Sequence, residues 1–106
     1  MERMFAAFIA LLISGMAMAD PVVSFLWKEK CGFAMAGQWG YLQNSDVKRD
    51  YAVVVKETFT PRSGKATERV LKYTVLAADS VSLGCSITDE PAYAKVRWTI
   101  LSETPK

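Results

Sequence analysis

The chain carries 13 lysines and arginines, 11 aspartates and glutamates and two cysteines, and it has no histidine. That inventory decides most of the chemistry open to it. Histidine is the usual base near neutral pH, so Ser-His and Cys-His nucleophile arrangements are excluded. Two cysteines without histidine do not make a zinc site. Cys31 and Cys85 are far outside C-x-x-C spacing, which argues against a redox pair. Two cysteines permit a single intramolecular pairing, so the expectation is one structural disulfide, Cys31 with Cys85.

The remaining candidates for acid–base work are weak. Asp46 and Asp50 flank a loop, and Asp89-Glu90 sits in a turn, where carboxylates are ordinarily solvated or bonded to their own backbone. Ser63 and Lys65 lie in an exposed turn, too open for a Ser-Lys dyad. There is no phosphate-cradling Gly-rich loop and no calcium-loop pattern. Asn44 is followed by Ser45 and Asp46, so the one asparagine is not an N-glycosylation acceptor. No catalytic residue, cofactor or metal ligand is expected.

What those residues could do instead depends on the elements that hold them. Residues 1–19 read as a cleaved signal peptide: Met1–Met4 with one arginine, the apolar run Phe5–Ile13, and Ala17-Met18-Ala19 in the A-x-A cleavage pattern. The apolar run is far below the roughly 20 residues of a spanning helix, so no stable membrane anchor is expected after cleavage. Residues 20–106 then form a single β domain, exported to the periplasm or the medium. The formal net charge of +2 is small and the charges are interspersed. Nucleic acid is not an expected partner.

The plainest element is a hairpin from Tyr51 to Ala78. Tyr51–Thr60 and Thr67–Ala78 are rich in β-branched and aromatic residues, and Pro61–Ala66 between them holds a proline and a glycine at turn positions. Tyr51, Val53, Val55, Glu57 and Phe59 share one face of the first arm; Leu71, Tyr73, Val75 and Ala77 are the apolar set of the second. Before the hairpin, Val22–Lys28 reads as a strand with Val23, Phe25 and Trp27 on one side. Cys31–Gly40, with three glycines, reads as a bulged strand or short helical turn with Phe33, Met35 and Trp39 inward. Tyr41–Asp46 reads as a loop. After the hairpin, Val81–Thr88 alternates with Val81, Leu83, Cys85 and Ile87 inward, so the disulfide is expected to cross the core. Tyr93–Leu101 is the last strand, with Ala94, Val96, Trp98 and Ile100 inward, and Ser102–Lys106 reads as a frayed tail.

Five to six strands joined by short turns predict an all-β fold, a small antiparallel sandwich or a partly open barrel. Trp39 stands between the two cysteines as in an immunoglobulin-like sandwich. The tyrosine expected two residues before the second cysteine is replaced by Leu83, so that family is not assigned.

With catalysis set aside, the expectation is a non-enzymatic protein-interaction module such as an inhibitor, an immunity protein or an envelope accessory factor. Its candidate partner contacts are Arg62, Ser63 and Lys65 on the hairpin tip, and Trp39 and Tyr41 beside the glycines. Buried, Trp39, Tyr41 and Phe33 would be core next to the disulfide. The alternatives are a small apolar-ligand or lipid-binding protein lined by Phe25, Trp27, Tyr73 and Trp98, and a subunit of a larger assembly.

Overall fold

A computed structural model describes residues 21–106; the expected signal peptide, residues 1–19, lies outside the described residues. Six strands follow in order: β1 (Val23–Cys31), β2 (Gly37–Asn44), β3 (Tyr51–Thr60), β4 (Thr67–Val75), β5 (Ser80–Cys85) and β6 (Lys95–Pro105). They build two three-stranded antiparallel sheets, β1-β2-β5 and β4-β3-β6, without a closed barrel among the described residues. The expected all-β sandwich is therefore present, with one disulfide, Cys31–Cys85.

The core lies between the sheets. Val23 and Leu42 meet Tyr51, Val53, Val55, Val75, Val96 and Trp98, with Phe25, Phe59, Tyr73, Leu83 and Ile100 packed around them. The alternation in Tyr51–Thr60 is the reason: Val53 and Val55 are fully buried, while Val54 between them is only half-buried. β3 is the central strand of its sheet, and its pairing with β4 runs unbroken from Tyr51↔Val75 to Phe59↔Thr67. A two-residue period with this many β-branched side chains leaves little choice of register.

Elsewhere bulges alter the expected alternation. β1 carries extra length at Lys28–Glu29 opposite β2, β5 carries Leu83 as an extra residue, and β6 carries Leu101. Each bulge switches which side chains face the core. Through the first two, Cys31 pairs with Gly37 and Cys85 with Trp39, not with the core-facing Gly40 or Leu42. The disulfide therefore does not cross the core. It ties the two outer strands of one sheet together on the face away from Trp98, with the Cα atoms 6.1 Å apart. Next-nearest strands in a flat sheet are roughly 9–10 Å apart, so this end of the sheet is pinched. Gly37 lies between the cysteines, where a Cβ would meet Cys85 Sγ at 2.9 Å and Ile87 N at 2.6 Å.

The third bulge corrects the expected tail. Ser102–Pro105 is not frayed but continues β6 against β3, through Val54↔Ser102, Val53↔Glu103 and Tyr51↔Pro105. The parity change at Leu101 turns Glu103 toward β1, where its carboxylate accepts from the backbone N–H groups of Val22 and Val23, both at 2.8 Å. The expected loop at Tyr41–Asp46 is corrected as well: Tyr41–Asn44 is the second half of β2. Leu42 and Asn44 are buried there. The Asn44 amide donates to the carbonyls of Arg49, Val75 and Leu76, and its oxygen accepts from Asp46 N–H. The polar residues that suggested a loop thus organise the crossing between the sheets.

Candidate functional site

Of the two readings of Cys31–Gly40 the short helical turn is the one found, a 3-10 turn at Phe33–Met35 leading into β2; the bulge lies before the segment, at Lys28–Glu29. The side chains are not inward, however. Phe33, Met35 and Trp39 are 44%, 60% and 39% exposed. The turn leaves the sheet at its pinched end, so Phe33 and Met35 have no opposing sheet to cover them. Trp39 follows the outward parity of β2, because its neighbour Gly40 is the residue facing the core. A Cβ on Gly40 would lie 2.8 Å from the Trp27 ring and 3.2 Å from the Trp98 ring. The two tryptophans occupy the space that this glycine leaves.

The hairpin tip projects as expected, with Gly64 N–H bonded to the Pro61 carbonyl and Gly64 at φ +103°, a conformation that favours glycine. Arg62, Ser63 and Lys65 are exposed. The Arg62 guanidinium lies 5.7 Å from the centre of the Tyr93 ring, and that ring meets Phe33 edge-on with centroids 5.0 Å apart. Three separated parts of the chain, the turn after β1, the hairpin tip and the segment before β6, thus converge at one end of the molecule. Beside them Thr60, Pro61, Arg62, Gly64, Tyr93 and Lys95 line an open groove of about 500 Å³.

Among the described residues no ring stacking or cation–ring contact joins Trp39 or Tyr41 to this cluster. Both lie on the outward face of β2, and the Tyr41 ring is covered by Lys28 Nζ at 4.9 Å. Tyr93 and Lys95 were missed as site residues. Tyr93 does not start the last strand as expected but sits in the turn before β6 at φ +62°, and its contacts with Phe33 and Arg62 join residues 60 and 31 positions away. No sequence period spans such distances.

The four aromatics expected to line a ligand cavity behave differently. Trp27 sits 6.0 Å from both Phe25 and Trp98, ring centre to ring centre. Trp98 is buried but Trp27 is 44% exposed, and the two line an open cleft of about 380 Å³ with Gln38, Ile87, Val96 and Arg97, whereas Tyr73 does not join them there. The Trp98 indole N–H donates to Glu57 Oε2 at 3.0 Å, while Arg69 Nε donates to Glu57 Oε1 at 2.7 Å. Glu57 shares the core-facing side of β3 and is satisfied by both partners. Burial pushes the Tyr73 hydroxyl above its usual pKa, the Glu57 charge adds to that rise, and Arg69 opposes it. No three acidic or cysteine side chains among the described residues come together as a metal site.

No protein-family model matches this chain, and no curated protein or solved structure matches it significantly.

Proposed function

We propose that this protein is a small exported protein-interaction module that works by binding and not by catalysis. The observation that carries this reading is the Arg62–Tyr93–Phe33 cluster. Exposed aromatic side chains with a cation stacked on them, set on a stiff hairpin and a pinched sheet end, have the composition of interface anchors. Arg62 and Lys95 in the groove suit a partner that presents carboxylates beside an apolar pocket. The leader supports export, and the sequence offers no acid–base pair with a nucleophile.

The test uses oxidised, leader-free protein as bait in an envelope and medium extract from its source. A single stoichiometric partner, lost when Arg62 and Tyr93 are both changed to Ala while the melting temperature is kept, is the expected result. A partner that is retained by that variant would place binding elsewhere; turnover of a substrate that survives purification would overturn the non-enzymatic reading.

An apolar ligand is the second reading. It is favoured by an open groove of about 460 Å³ between β1 and β6, lined by Pro21, Val23, Phe25, Ile100 and Leu101 among others. Lipids or hydrophobic dyes seated there would change tryptophan fluorescence.

A further inference from the structure

Two three-stranded sheets leave four edge strands, β1, β5, β4 and β6. An exposed edge is a row of unpaired backbone groups, and proteins commonly protect it with a bulge. β1, β5 and β6 each carry one. In addition, Glu103 of β6 takes up the first N–H groups at the β1 side of that seam. β4 differs. Its nine residues pair with β3 without interruption, and among the described residues none of them makes a backbone–backbone hydrogen bond to another segment; only the carbonyl of Val75, at its end, accepts from the Asn44 side chain.

The outward face of β4 follows from its register. Tyr73 and Leu71 pair with the buried Val53 and Val55, so Glu68, Val70, Lys72 and Thr74 point away from the core. Val70 is 58% exposed in the middle of this row, with the acid two positions before it and the base two positions after. Such a row is self-complementary. In a two-fold antiparallel pairing centred on Val70, each Glu68 stands directly opposite the partner's Lys72, and the two Val70 side chains meet on the axis. Moving the centre to Glu68, Arg69 or Lys72 sets like charges against each other. Centring on Leu71 places Val70 against the partner's Lys72. Opposite charges facing each other across strands stabilise a pair and like charges oppose it, by about 0.2–1 kcal/mol each, so the Val70 register is the favoured one.

We propose that β4 is a self-association edge, through which a second copy of this chain pairs with the first about Val70 to form a continuous six-stranded sheet. Lys56 Nζ already lies 3.8 Å from Glu68 on the same face. The dimer would therefore carry a Lys56–Glu68–Lys72 ladder on each side of the axis. Antiparallel pairing sends the two hairpin tips in opposite directions, so both Arg62–Tyr93–Phe33 clusters stay free and the dimer presents two of them. The contact is small, which places it among weak associations.

The test is sedimentation equilibrium of oxidised, leader-free protein up to millimolar concentration, with wild type, Lys72→Glu and Glu68→Lys. Wild type dimerises, and each single variant associates at least about tenfold more weakly, because both cross-axis pairs become repulsive. An equimolar mixture of the two variants regains the dimer, since every Glu then faces a Lys again. Melting curves confirm that both variants fold. If either does not, Val70→Cys replaces it, and the new thiols on the axis cross-link under mild oxidation. A monomeric wild type at millimolar concentration overturns the proposal, and so does a dimer that neither variant weakens. It would mean that Glu68 and Lys72 simply keep this edge in solution.

Discussion

The two sheets reach stability by different means. The β4-β3-β6 sheet supplies six of the eight residues of the buried cluster, Tyr51, Val53, Val55, Val75, Val96 and Trp98, and its central strand is long and regular. The β1-β2-β5 sheet supplies only Val23 and Leu42, carries bulges in both outer strands and is tied by the Cys31–Cys85 bond. Apolar burial holds the first; a covalent tie supplements the second. The difference has a functional consequence. A sheet that does not rely wholly on burying its aromatics can leave Trp39 on its outer face and Phe33 at its end.

Replacing Trp98 by Ala tests the first half of that contrast and has the largest expected effect. The ring is 8% exposed, contacts Trp27 and fills the space beside Gly40. Its loss should cost about 3–5 kcal/mol in denaturant unfolding, and a cost below about 1 kcal/mol would remove Trp98 from the core. Cys85→Ser tests the second half. It should cost about 2–4 kcal/mol, and hydrogen exchange should speed up first in β1, β2 and β5. Equal acceleration in β3 would show that the two sheets are not stabilised separately.

Asn44→Ala probes the crossing between them. It removes an acceptor for Asp46 N–H and leaves the carbonyls of Val75 and Leu76 without the donor they share, for an expected loss of about 1–3 kcal/mol. An unchanged melting temperature would mean that water replaces the amide freely.

The smallest effect is visible only in alkali. The pKa of Tyr73 is raised in the folded state, chiefly by burial. Below the unfolded value, about 10, both states keep the proton and the group is neutral to stability's pH dependence. As pH rises past that value the unfolded chain releases its proton first, so folding is progressively disfavoured until the folded pKa is also passed. Tyr73→Phe should therefore flatten the loss of stability above pH 10, as read from melting temperature against pH. An identical alkaline slope would assign that loss to other groups.

The β3–β4 hairpin was legible because one period ran through it without interruption. Tyr51–Thr60 and Thr67 begin and end where composition changes, and Val53, Val55 and Val75 are buried as alternation required. The other sheet was read less well for a definite reason. A bulge adds one residue and inverts every later inward–outward assignment, and nothing in Lys28-Glu29 or Leu83 announces one. The same inversion at Leu101 hid the last turn of pairing and the role of Glu103. For the candidate site, exposure of Arg62, Ser63 and Lys65 was readable from the turn residues, whereas the Tyr93 bridge to Phe33 was not.

By itself the amino-acid sequence determined an antiparallel β chain with one disulfide, because pairing periodicity and cysteine count are local or combinatorial properties. Only the tertiary structure decided which face the disulfide lies on, which aromatics fill the core and which stand at its end. Those outcomes depend on bulge positions and on contacts between residues dozens of positions apart, and both are set by how the two sheets fit against each other.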